Sequence, residues 1–368
     1  MKHKIKSLLR GLSLAFLFYA CAAAPEPASE PVPEEAEILP EIAEEEAPSA
    51  SALPLPGEND ALPVSAFGEI WGYVVAGREA ALSAEMPLSD VGYFGAEIDM
   101  YGKLTDVPNP RNLRFFKGRI HLVVACNGRA LSHFVLREGG AERKALIEDL
   151  IAAARNYDGL QIDFELVPRR AAQNFLSFLA ELRVGLKGKS LTVALPARTR
   201  RISNDVYDYG KIKPLVDRIL VMAYDEHWST SAPGPIASMD WCRNVADYSL
   251  QAVGREKLIM GIPFYGRAWG NINPSRAYLY SGIETVMREN FVTNVRRENG
   301  IPAFDYEAAV SVKVYYEDDY SLSVRMDMYK AMGVASIGFW RVGQESQGVW
   351  NLLRLEKDGE SSASLINR

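Results

Sequence analysis

Leu160, Ile162 and Phe164 are apolar, and Gln161, Asp163 and Glu165 alternate with them. A period of two is that of a strand, so the polar side chains share one face and the apolar ones the other. Such a strand suits an antiparallel sheet with one solvated face. It also suits a barrel wall near its open end. There the apolar face packs under helices and the acids look into a wet mouth, which avoids burying unpaired charge.

The same reading along the chain separates the two settings. Short apolar runs predict strands at 70–75, 91–98, 120–125, 160–165, 191–195, 218–224, 258–262 and 336–340. Amphipathic helical patterns lie between several of them, as at 142–155 and 170–186. Eight strands alternating with helices imply an α/β fold, a parallel sheet closed as a (β/α)8 TIM barrel. The gap between the seventh and eighth strands is the longest. Residues 268–319 within it predict a small α+β insertion walling one side of the cleft.

The first 63 residues read differently. Lys2, Lys4, Lys6 and Arg10 precede an apolar run from Leu12 to Tyr19 that is too short to span a membrane. Ala20-Cys21 follows, which resembles a bacterial lipoprotein signal over residues 1–21, with lipid on Cys21. An ordinary secretory peptide cut after one of Ala22, Ala23 or Ala24 is the alternative. Residues 22–63 are rich in Pro, Ala and Glu and lack Lys and Arg, so they are expected to form a disordered, extended linker. The expectation is an exported, membrane-anchored protein, periplasmic or on the cell surface, that touches membrane only through its lipid.

These segments also explain the formal charge of −6. Four positive charges sit in the signal and eleven negative ones in the linker, which leaves 64–368 near neutral. Nothing there points to nucleic acid. Cys126 and Cys242 lie in apolar surroundings and predict either two buried thiols or one disulfide. No Cys/His cluster has metal spacing and no Gly-rich phosphate loop follows a strand, so no metal or cofactor is expected.

In a barrel the C-terminal ends of the strands build the active site. Glu165 ends the fourth predicted strand. Met222-Ala223-Tyr224-Asp225 ends the sixth, Gly261-Ile262-Pro263-Phe264-Tyr265-Gly266-Arg267-Ala268-Trp269 follows the seventh, and Gly338-Phe339-Trp340 ends the eighth. With Asp158-Gly159-Leu160-Gln161-Ile162-Asp163-Phe164-Glu165, these stretches resemble the DGxDxDxE, MxYD, GxPxYGxxW and final-strand Trp segments of glycoside hydrolase family 18, the chitinase-like barrels. The resemblance covers nearly all of 67–355. Gln161 departs from it, standing where chitinases usually carry an Asp. Members related to spore-cortex and peptidoglycan lysis often have an amide there.

The resemblance implies roles. Glycoside cleavage ordinarily uses two carboxylates, but this family uses the substrate's acetamido oxygen as nucleophile. Glu165 would be the general acid. Asp163 would accept a hydrogen bond from the acetamido N–H, and Tyr224 would hold the acetamido oxygen. Gln161 would orient Asp163 through an amide N–H. Asp225, Trp340, Trp228, Tyr265 and Tyr73 would line the glycan site, with Tyr73 open between mouth and core. Met222 reads as core packing and His227 as structural or rim. The expected activity is a retaining hydrolase of β-1,4 bonds to N-acetylglucosamine in peptidoglycan, chitin-like oligomers or glycans. The alternatives are a catalytically silent, lectin-like barrel and a surface-display scaffold.

Overall fold

The computed structural model describes Gly57 and residues 60–270, 276–307 and 311–356. The expected signal, Cys21 and most of the linker lie outside the described residues. Eight parallel strands form the barrel: Glu69–Val75, Asp90–Ile98, Arg119–Ala125, Gly159–Asp163, Ser190–Pro196, Arg218–Met222, Leu258–Pro263 and Ser336–Trp340. Each pairs with the next, and the first pairs with both the second and the eighth, which closes the sheet.

Alternation along each strand sorts its side chains. Leu160 and Ile162 point outward into the main core, where Phe175, Phe178, Leu179 and Leu182 of the helix Ala172–Gly185 cover them. Trp71, Tyr73, Val123, Ala194, Leu220 and Ile259 fill the barrel interior. Its floor is ionic. Asp90 is buried and bonds His121 at 2.7 Å and Arg119 at 2.7 Å, and Arg119 and Arg218 both reach Glu69. Burial would raise the Asp90 carboxyl, but these partners hold it below its ordinary value.

Two strands end earlier than their patterns predict. The fourth stops at Asp163 and the sixth at Met222, so Glu165 and Tyr224 lie two residues beyond. Hydrogen bonding explains the first: the carbonyl of Phe164 accepts from the Tyr207 hydroxyl at 2.6 Å instead of from a neighbouring strand. Cys126 and Cys242 are both buried, free thiols.

The insertion is a five-stranded antiparallel sheet with the helix Tyr280–Glu289. Its sheet begins at Gly266, two residues ahead of the expected boundary. Ala268, Phe304, Val312 and Val314 pack with Ile283 of that helix. Trp269, Ala303 and Tyr315 belong to a cluster with Ile236 and Tyr265, against which Tyr224 and Trp340 pack. The insertion thus has its own small core and also supports the barrel mouth.

Ahead of the first barrel strand, Ser65–Phe67 pairs in parallel with Leu353–Leu355 on the outside of the barrel. Further back, Pro63 accepts from the Ser323 hydroxyl at 2.7 Å, and Leu62 packs beside Tyr320 and Val324 of the last helix, Asp319–Ala331.

Candidate active site

Asp163 is the last residue of the fourth strand and points inward, 8% exposed. Its Oδ1 is buried and has no hydrogen-bond partner among the described residues. Burial first, and then the charge of Glu165, push this carboxyl well above the usual range. Glu165 sits exposed on the turn just above. Tyr207 clamps that turn: its hydroxyl donates to Phe164 O at 2.6 Å and accepts from Val167 N at 3.0 Å. The bracketed residues are those on either side of Glu165-Leu166.

Tyr224 rises beside the pair from the end of the sixth strand. Burial, then Asp163, Tyr73, Glu165 and Asp225, hold its phenol protonated, so it meets a ligand as a donor. Room for its ring depends on Gly261, where a Cβ would lie 3.0 Å from Tyr224 Cε1 and 2.8 Å from Val221 O. Asp225 follows at φ +56°. Its Oδ1 accepts from Tyr265 at 2.5 Å and from Arg267 at 3.3 Å. Trp340 closes the mouth at the end of the eighth strand. Its ring lies 5.7 Å from Tyr73 and 5.1 Å, edge-on, from Phe94.

Two carboxyls, a protonated phenol, a third carboxylate and an indole therefore converge at the C-terminal mouth. The sequence profile of Glycosyl hydrolases family 18 matches residues 99–345. The chain belongs to that family.

Among curated relatives, the uncharacterized glycosylase YvbX of Bacillus subtilis is 28% identical over 226 residues, covering 58% of this chain and 65% of that protein. A cortical fragment-lytic enzyme of Bacillus anthracis is 23% identical over 290 residues, covering 72% and 67%. The chain thus spans less than two thirds of the length of the first and 67% of the second. Among solved structures, the spore cortex-lytic enzyme SleL of Bacillus cereus superposes with a TM-score of 0.72 at 21% identity, covering 80% of this chain and 76% of that one. At that identity the likeness is one of fold.

Against the expectations for a family 18 site, Asp163, Glu165, Tyr224, Asp225 and Trp340 are brought together. Three expected glycan contacts are not surface residues. Gln161 is 0% exposed, Tyr73 4% and Tyr265 5%. Their polar tips are used internally: Tyr73 donates to Gln161 Oε1 at 2.5 Å, and Tyr265 is committed to Asp225. The amide of Gln161 does not orient Asp163 either; its Nε2 donates to Thr192 Oγ1 at 3.0 Å. Trp228 stands on the rim, 40% exposed, with Nε1 bonded to Thr230. His227 is structural, its Nδ1 2.8 Å from Pro235 O.

Four residues of the site escaped sequence reading. Thr192 is a lone polar residue inside an apolar strand, a signal that could have been used. Arg267 fills a variable position of its motif, so the pattern assigns it no role. Phe94 is one apolar residue in an apolar strand, with nothing in the pattern to mark it. Tyr207 carries no local signal, because its partners are 40 and 43 positions away.

Proposed function

We propose that this protein is a glycosidase that cleaves β-1,4 bonds to N-acetylglucosamine with retention, using the substrate's acetamido group as nucleophile. The observation that carries the reading is the buried, unpartnered Oδ1 of Asp163 beneath Glu165. A buried acceptor without a donor is costly, and an arriving acetamido N–H supplies the missing donor.

The chemistry follows from that contact. A hydrogen bond from N–H favours ionised Asp163, which leaves the proton of the coupled pair on Glu165. Glu165 gives that proton to the glycosidic oxygen as the C1–O bond breaks. The acetamido oxygen, held by the Tyr224 hydroxyl, bonds to C1, and Asp163 faces the positive charge that develops on the ring so formed. Water then attacks C1, yields its proton to Glu165 and reopens the ring, so configuration is kept. Trp340 offers an aromatic face to the apolar side of the sugar. Asp225, held by Tyr265 and Arg267, accepts from sugar hydroxyls. The cortical fragment-lytic relative makes peptidoglycan the first substrate to try.

The test uses the purified protein on peptidoglycan and on soluble N-acetylglucosamine oligomers, with reducing ends counted and early product anomers read by NMR. The β anomer is expected first, and de-N-acetylated oligomers are expected to resist. An α product at early times, or equal cleavage without the acetamido group, overturns the mechanism. Inertness on every acetamido glycan overturns the substrate class.

A further inference from the structure

The mouth loops after the fourth and fifth strands carry an excess of arginine. Arg169 and Arg170 follow the Glu165 turn, and Arg198, Arg200 and Arg201 follow the fifth strand. The Tyr207 hydroxyl bolts the second loop to the first, so the two loops form one ridge beside the catalytic carboxyls. Two of the five have acids. Arg198 makes a forked bond to Asp205, at 2.6 and 3.2 Å. Burial would raise the Asp205 carboxyl, but Arg198, the Tyr207 N–H and the more distant charge of Arg169 lower it, which puts Arg169 on the same ridge. Arg201 stands 4.0 Å from Asp208, whose Oδ1 also caps a short helix through Lys211 N. Arg169, Arg170 and Arg200 are exposed and have no acid partner among the described residues. Arg201 also lines an open cavity of about 360 Å³, together with Asp208, Lys211 and Tyr248.

We propose that this ridge binds substrate carboxylates, so that the enzyme's substrate is an acidic, carboxylate-bearing N-acetylglucosamine glycan of the peptidoglycan type and not a neutral chitin-like chain. Guanidinium forks match carboxylates in geometry and charge. A neutral glycan gives them nothing to pair with, and neighbouring like charges repel. Arg169 lies four positions after Glu165 on the same mouth loop, within reach of a strand bound across the acid. The proposal rests on the glycosidase reading of the cleft and adds the charge of the substrate to it.

The test compares the full chain with the variant Arg169→Gln/Arg170→Gln/Arg200→Gln on three soluble glycans of matched length. These are peptidoglycan strands with free lactyl carboxylates, the same strands with carboxyls amidated, and a neutral N-acetylglucosamine oligomer. Peptide-bearing strands form a further arm, showing whether lactyl or peptide carboxylates are recognised. On native strands the variant is expected to lose on the order of tenfold in kcat/KM, carried by KM, the scale of one charge-assisted hydrogen bond. The loss on amidated and neutral glycans is expected to be much smaller. Wild-type preference for native strands should also fall as salt rises. Equal losses on all glycans, or wild-type cleavage indifferent to amidation, overturns the ridge. Binding of native strands to Glu165→Gln, with and without the three arginines, keeps the questions apart. A binding difference supports the ridge even where turnover fails, whereas turnover with no arginine effect sinks the ridge alone.

Discussion

Tyr73 on the first strand donates its hydroxyl proton to Gln161 on the fourth, 2.5 Å away and 88 positions on in sequence. The bond lies inside the barrel, and Gln161 passes it on to Thr192 on the fifth strand. Tyr73→Phe leaves the buried Gln161 oxygen without a donor, at a cost of about 1–3 kcal/mol. Chemical denaturation should show that loss as a lower midpoint at unchanged slope. A midpoint equal to wild type would mean that the amide finds another donor.

Asp163 links stability to pH. Its folded carboxyl is held above the ordinary value, by burial and then by Glu165. Below the ordinary value it is protonated whether folded or unfolded, and its contribution is fully present. As pH rises toward the elevated folded value, the unfolded chain ionises first, and stability is lost. Asp163→Asn cannot ionise. Denaturant unfolding across pH should find the two proteins closest near pH 4, with the variant increasingly the more stable as pH rises above that. While the folded carboxyl stays protonated, the difference should widen by about 1.4 kcal/mol per pH step of one. A constant gap across that range would contradict the burial argument.

Glu165→Gln should fold as wild type and bind glycan, with turnover lower by about 10²–10⁴-fold. Retention of more than half the wild-type rate would place the acid elsewhere.

Tyr207→Phe removes both hydrogen bonds that bracket the Glu165 turn while keeping the ring against Phe175. Misplacing a reactive group by about 1 Å can cost on the order of 10²-fold. A fall in kcat with KM held, and a displaced pH profile, are expected. An unchanged profile would make Tyr207 mere packing.

The lipid anchor is a proposal from the order of Lys2, Lys4, Lys6, Arg10, the apolar run and Cys21. Expressed in a bacterium with its own leader, the protein should partition with membranes, and Cys21→Ser should release it or stop its maturation. Unaltered partitioning of that variant would exclude the anchor.

The sequence disclosed the barrel because alternation and spacing are local. Each of the eight strands announced itself by its own apolar run. Asp163, Glu165 and Tyr224 were legible for the same reason, since strand ends are where a barrel places chemistry. Burial depth was not legible. Gln161, Tyr73 and Tyr265 look like contact residues in a line of letters. Their roles depend on partners 88, 31 and 40 positions distant, set only when the sheet closes. Strand ends at Asp163 and Met222 were missed because polarity carries on past the last ladder bond.

The clamp between Ser65–Phe67 and Leu353–Leu355 fixes how the molecule can be held. The last helix runs from the mouth end toward the floor, and Leu62 and Pro63 meet it in its first two turns. Earlier residues therefore depart from the shoulder of the barrel, beside the insertion, and not from its base. Any pull through them acts as an off-axis lever. It bears on the first turns of the last helix and leaves the ionic floor of Asp90, His121 and Arg119 untouched.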